Sequence, residues 1–200
     1  MQHIYQQGRN GYTLLLLHGT GGTEQDLIGL AKEIDAGANI LSVRGQVLEN
    51  GMPRFFRRVA EGVFDMEDLR FRTDELYQFV QEAAWQYDFN PSKVIAIGYS
   101  NGANIAGNLL FRHKNALLGA ILHHPMVPDR DVTLPSLANV HVWIGAGTND
   151  FMCSPQESEE LEKLLQEAGA TVETAWFNNG HQLTMSEVQA AKAWYKANIK

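Results

Sequence analysis

At 200 residues and 22.3 kDa the chain fits one domain, since single cores commonly reach ~100–200 residues. A composition of 44% hydrophobic and 20% charged residues excludes wholesale disorder, and a formal charge of −7 argues against a general nucleic-acid binder. The single cysteine, Cys153, excludes an internal disulfide and any multi-cysteine metal site.

The first eleven residues are polar and lack the apolar stretch of a signal peptide. The run Leu14-Leu15-Leu16-Leu17 is far shorter than the ~18 apolar residues of a membrane-spanning helix. A single cytoplasmic domain over residues 1–200, with no stable membrane insertion and no nucleic-acid partner, is therefore expected.

Tyr12 to His18 reads as a buried strand running into a glycine cluster, Gly19-Thr20-Gly21-Gly22, and Ile40 to Val43 as a second strand. Arg44 to Arg72 then forms a long connection, of the kind that often carries function. Thr73 is placed to cap a helix whose Leu76, Phe79, Val80, Ala83 and Tyr87 share one apolar stripe. After the turn Asn90-Pro91-Ser92, Val94 to Ile97 is a strand and Asn101 to His113 a helix.

Ala120 to Leu122 and Val140 to Ile144 supply further strands. Ser154-Pro155-Gln156-Glu157 has the pattern of a capped helix start, and Gly169 can end that helix. Val172 to Phe177 is the last strand, and Thr184-Met185-Ser186-Glu187 repeats the capping pattern before a helix to about Asn198. Strands alternating with helices predict an α/β fold, a compact, mostly parallel sheet covered on both faces, with little room for a separate lid domain. In such sheets chemistry gathers at the carboxyl ends of strands.

Gly98-Tyr99-Ser100-Asn101-Gly102 matches G-x-S-x-G in the required context, between a predicted strand and a predicted helix. The alternative is a glycine-rich turn with an incidental serine. Ser100 is the candidate nucleophile, and a serine hydroxyl needs a base. His181, in Asn178-Asn179-Gly180-His181, and Asp150, ending Gly145-Ala146-Gly147-Thr148-Asn149-Asp150, both follow strands. The order Ser100, Asp150, His181 is that of α/β-hydrolases.

Asp129 and Asp131 are rival acids one strand earlier, in a loop with Pro125 and Pro128. His18 is expected to brace the glycine loop. His123-His124 suggests a metal, but neighbours in a strand point to opposite faces, so no metal site is assigned. Cys153 is expected to be a packing residue.

His18-Gly19-Thr20-Gly21-Gly22 resembles the loop that supplies oxyanion donors in ester hydrolases, which makes the backbone N–H groups of Thr20 and Asn101 the candidate pair. The same glycines lack the third glycine of a dinucleotide fingerprint and the Gly-Lys-Ser/Thr of a P-loop. For the substrate pocket the candidates are Gly21, Arg54, Phe55, Phe56, Met126 and Val127. Residues 54–72 hold five arginines and four acids, Glu61, Asp65, Glu67 and Asp68, so internal ion pairs are the simplest account of the Arg54–Arg58 cluster.

Together the three loops resemble the phospholipase/carboxylesterase family of α/β-hydrolases, and Gly98-Tyr99-Ser100-Asn101-Gly102-Ala103-Asn104 resembles its small bacterial carboxylesterase branch, related to acyl-protein thioesterases. The resemblance implies a triad of Ser100, Asp150 and His181, an ester substrate, no cofactor, and an antiparallel edge strand near His3 to Gln7. It also allows a homodimer. Many thioesterase-like members have glutamine where this chain has Asn101, which leaves the backbone donor intact but bears on substrate range. Acyl thioesterase and lysophospholipase are the alternatives within one chemistry, and a non-catalytic hydrolase-fold binding protein is the alternative outside it.

Overall fold

In the computed structural model, which describes residues 1–199, the chain opens with β1 (His3–Gln6) and β2 (Thr13–Leu17) and passes through α1 (Ile28–Asp35) to β3 (Asn39–Val43). Two small hairpins follow, β4 (Val47–Glu49) with β5 (Met52–Arg54) and β6 (Arg58–Ala60) with β7 (Val63–Phe64). Then come α2 (Met66–Tyr87), β8 (Val94–Tyr99), α3 (Asn101–Arg112), β9 (Gly119–His123) and β10 (His141–Gly147). The chain continues through α4 (Pro155–Glu167), β11 (Thr171–Phe177) and α5 (Met185–Asn198). Among the described residues no helix is long and apolar enough to cross a membrane.

Seven strands form one sheet in the order β1-β3-β2-β8-β9-β10-β11. All neighbours are parallel except β1, which runs antiparallel along β3 at the edge where such a strand was expected. The leucine run of β2 shows how the layers form. Leu14 and Leu16 join Ile95, Ile97 and Trp143 beneath α1 and α5, while Leu15 and Leu17 join Val94, Ala96 and Leu122 beneath α2, α3 and α4. Alternation by two sends successive side chains to opposite faces, and helices on both faces keep all four leucines wholly buried.

Four local expectations are corrected. Helix α1 was not anticipated; it has no side-chain cap and carries Gly29, and its buried apolar residues are few, Ala31 and Ile34 with Leu27 just before it. Helix α2 begins well before Thr73, because Asp65 caps it by accepting from the amide of Asp68 at 3.1 Å. Thr73 instead donates its hydroxyl to the Leu69 carbonyl within the helix and accepts from Asn108 Nδ2, both at 2.7 Å. The stretch 44–72 is thus two hairpins and the start of a helix, not one long loop.

Ser154 and Thr184 do stand at helix starts, but neither side chain caps its helix. The glutamates that would complete their capping boxes are used elsewhere. Glu157 accepts from the Val127 amide at 2.8 Å and pairs with Arg130, and Glu187 turns into the interior.

At the carboxyl edge of the sheet, β2, β8 and α3 meet backbone to backbone. A Cβ on Gly102 would lie 1.9 Å from the Leu17 carbonyl oxygen, and one on Gly98 would lie 2.5 Å from the Gly102 carbonyl oxygen. These glycines permit an approach that no side chain allows. Gly102→Ala is therefore expected to cost about 3 kcal/mol or more, as overpacking against backbone that cannot yield. Urea unfolding compared with that of an exposed control such as Gly29→Ala checks this, since a Cβ on Gly29 meets nothing within 4 Å.

Candidate active site

Ser100 lies between the end of β8 and the start of α3 with φ 53° and ψ −115°, a conformation costly for any residue with a Cβ. Its amide donates to the His123 carbonyl at 2.9 Å, and its carbonyl accepts from Asn104 N at 3.0 Å. The strand on one side and the first turn of α3 on the other hold the bend. The hydroxyl is thereby lifted to the mouth of the sheet, above the unpaired amides of a helix N-terminus.

His181 and Asp150 reach this bend from the ends of β11 and β10. His181 Nε2 lies 2.8 Å from Ser100 Oγ, and His181 Nδ1 lies 2.7 Å from Asp150 Oδ2. Asp150 Oδ1 accepts from the amides of Met152 and Cys153 at 2.9 and 3.0 Å, so the carboxylate is fixed at both oxygens. Burial pushes the Asp150 carboxyl upward, but the hydrogen bonds from His181, Cys153 and Met152 outweigh it and leave the group below its ordinary range. The His181 loop is tied down twice. Tyr99 donates its hydroxyl to the His181 carbonyl at 2.7 Å, and the Gly180 amide donates to Asn149 Oδ1 at 2.8 Å.

The rival acids stand elsewhere. Asp129 takes a two-pronged ion pair from Arg70 at 2.8 and 3.0 Å, and its carboxylate also accepts from the Asp131 amide. His18 braces the glycine loop as expected: its Nδ1 side contacts the Gly19 carbonyl at 2.6 Å, and Nε2 accepts from the Gly45 amide at 3.0 Å. Burial lowers its pKa, which suits a neutral ring in that role. Cys153 is buried with its Sγ on the Pro125 carbonyl, and burial raises its thiol pKa far out of the reactive range.

One neighbour of the site was missed. His124 lies with Nδ1 2.9 Å from Asp150 Oδ2, the same oxygen that faces His181, and with Nε2 3.2 Å from Glu187 Oε2. His123 Nδ1 also contacts Glu187, at Oε1. Opposite-face alternation fails for this pair because His124 has left the strand, with φ 53°, and turns back toward the helix that carries Glu187. Ligand atoms of His124, Asp150 and His181 lie within 4.8 Å of one another. Those atoms are already engaged, since both Nδ1 atoms face one oxygen of Asp150; a metal among them would break the grip of Asp150 on His181.

A cavity of about 50 Å³ opens beside Ser100, lined by Thr20, Arg54, Arg58, Phe64, Met126 and Met152 among others. Arg54 and Met126 are thus where they were expected. Phe55, Phe56 and Val127 are not; they are buried in the core, and Gly21 borders a separate surface depression. Asn101 begins α3, and its side-chain Oδ1 accepts from the Phe55 amide at 2.7 Å, fastening the β5 exit to the nucleophile helix. Thr20 Oγ1 accepts from Arg54 Nη1 at 2.6 Å.

The Arg54–Arg58 cluster is paired, but of its arginines only Arg57 pairs within residues 54–72 as expected; Arg54 and Arg58 reach outside the stretch to Glu49. Arg57 meets Asp65 and Asp68, and Arg72 meets Glu75 and Asp68. Arg54 and Arg58 share one carboxylate, Glu49, at 3.5 and 2.9 Å, and Glu61 also lines the cavity, so two acids balance the two arginines there.

Known proteins resemble the chain over its whole length. The chain is 56% identical to MhqD of Bacillus subtilis (strain 168), which carries a provisional hydrolase name, over the full length of both. It is 60% identical to the Bacillus cereus carboxylesterase, whose crystal structure superposes with a TM-score of 0.98 over 99% of this chain and 94% of that one. The structure of YahD with malic acid is 36% identical, with a TM-score of 0.93 over 98% of each chain. The carboxylesterase resemblance drawn from the loops is thereby supported, within an α/β-hydrolase fold. The dienelactone hydrolase family model matches residues 57–198, which include Ser100, Asp150 and His181, and the chain belongs to the dienelactone hydrolase family.

Proposed function

We propose that this protein is a serine carboxylesterase acting through Ser100, His181 and Asp150. The unbroken hydrogen-bonded line from the strained serine to the buried carboxylate, 2.8 and 2.7 Å per link, carries this reading. His181 Nε2 takes the proton of Ser100 Oγ as the oxygen attacks the ester carbonyl carbon. Asp150 holds His181 in the tautomer with Nδ1–H and stabilises the imidazolium that forms. The carbonyl oxygen, now negative, accepts from the backbone amides of Asn101 and Thr20.

Collapse of the tetrahedral species breaks the ester C–O bond. The alcohol leaves with the proton from His181, and the acyl group stays on Ser100. Water then gives a proton to His181 and adds to the acyl carbon, and the acid departs as Ser100 recovers its proton. No cofactor enters this sequence.

The guanidinium donors of Arg54 and Arg58 at the cavity wall beside Ser100 favour a small ester bearing a carboxylate on its acyl or alcohol part. The structure of the relative YahD is one with malic acid, a dicarboxylate, which is in line with this reading of the present site.

A fluorophosphonate probe is expected to label the wild type and not Ser100→Ala; a folded, unlabelled wild type would favour a non-catalytic binding protein. Asp150→Asn should keep its fold and lose roughly 10³–10⁴-fold in kcat for p-nitrophenyl acetate. In a panel of short esters, a thioester and a lysophospholipid, a carboxylate-bearing ester should give the highest kcat/KM. Arg58→Gln should raise its KM about tenfold while leaving neutral esters nearly unchanged. Equal losses on both would remove the argument from these donors.

A further inference from the structure

We propose that His124 is a positioning residue of the hydrolytic site, a buried imidazolium that Glu187 presses against Asp150 so that one carboxylate oxygen stays aimed at His181. The proposal rests on the Ser100–His181–Asp150 reading above and extends that line by two further side chains.

The protonation follows from donors and acceptors. His124 Nδ1 faces Asp150 Oδ2 at 2.9 Å, and Nε2 faces Glu187 Oε2 at 3.2 Å. An ionised carboxylate only accepts, and a neutral imidazole has one N–H, so facing two carboxylates takes both protons. The side chains of His124, Asp150 and Glu187 are 0% exposed, which leaves solvent no opening to stand in for either bond.

The groups that face His124 come from five places. Asp150 comes from the β10–α4 turn, Glu187 from α5, and the His181 ring, 5.1 Å away, from the β11–α5 turn. The Tyr99 ring meets it edge-on at 6.1 Å from β8, and His123 at the end of β9 shares Glu187. No lysine or arginine is among them. Two carboxylates and one imidazolium leave this cluster at −1 at rest, and it becomes neutral when His181 accepts the serine proton. Without the charge on His124, two buried carboxylates would face each other across a neutral ring.

The surroundings are built to admit Glu187. A Cβ on Gly145 would lie 2.4 Å from Glu187 Oε1, so any side chain at position 145 would block the carboxylate. The Gly145 carbonyl also accepts from the His124 amide at 2.7 Å, fixing the backbone turn that aims the ring. Burial opposes a charge on His124, but the hydrogen bonds and charges of Glu187 and Asp150 overcome it and raise its pKa above the ordinary value. For Glu187 burial pushes up, and the bonds from His123 and His124 outweigh it and hold the carboxyl down at about 2.

A positive ring at His124 opposes a second positive charge on His181. It also takes part of the hold on Asp150 Oδ2, which steadies the carboxylate while His181 cycles between its neutral and charged forms.

The test uses the intact protein. Nitrogen-15 spectra of histidine-ring-labelled wild type at pH 7 should show His124 protonated at both ring nitrogens. A bare nitrogen at His124 would overturn the proposal. The double variant His124→Gln/Glu187→Gln removes one charge of each sign and keeps amide donors and acceptors in place. Its kcat for p-nitrophenyl acetate should fall about tenfold or more with KM within about twofold. A folded double variant with the wild-type kcat also overturns the proposal. If the double variant does not fold, the wild-type spectrum decides. Failure of the triad reading looks different: the wild type would resist the fluorophosphonate probe, whatever protons His124 carries.

Discussion

A single oxygen, Oδ2 of Asp150, is where the site is decided. It faces His181 and His124 at 2.7 and 2.9 Å, while its partner oxygen is occupied by two backbone amides. The carboxylate has no freedom left to rotate, so the ring of His181 is aimed before any substrate arrives. Preorganisation of this kind is what the proposed reaction requires, since a charge developing on His181 would meet a dipole arrangement already in place. The loop bearing His181 is fixed separately, through its own carbonyl to Tyr99, so ring and backbone are held by different elements.

The backbone cost of the site is concentrated at two residues with the same φ of 53°, Ser100 and His124. They are coupled: Ser100 donates its amide to the carbonyl of His123, which immediately precedes His124. Strand β9 therefore supports both bends, one that lifts a hydroxyl out of the sheet and one that folds an imidazole back beneath it. The glycines at 98, 102 and 145 make the approach possible, each because a Cβ would strike backbone or the Glu187 carboxylate.

Much of the fold was legible because periodicity and punctuation agreed. Leu14 to Leu17, bounded by polar residues and a glycine cluster, could only be a strand buried on both faces, and it is. The bend at Ser100 was legible because G-x-S-x-G lay between a strand and a helix, and those neighbours formed where expected. The capping patterns located two helix starts but misassigned their glutamates, since Glu157 and Glu187 bind Val127 and the histidine pair instead. Helix α2 began earlier than its apolar stripe suggested, because Asp65 offered a cap in a stretch that resembled a loop. For both glutamates local chemistry named a competent partner, and a tertiary neighbour took it.

The amino-acid order alone determined the α/β architecture, the chain positions of a serine, an acid and a base, and the glycines that let the bends close. Those properties depend on residues near one another in the chain, where hydrophobic alternation and glycine permissiveness act directly. Only the tertiary structure decided which carboxylate faced His181 and which aromatic residues of the 54–72 stretch lined the cavity rather than the core. It also decided that His124 and Glu187 join the line behind Asp150. Those outcomes depend on a left-handed turn at one residue and on the meeting of loops far apart in the chain, such as those of Ser100 and His181, 81 positions apart. No local pattern encodes such a meeting, because it exists only once both faces of the sheet are packed.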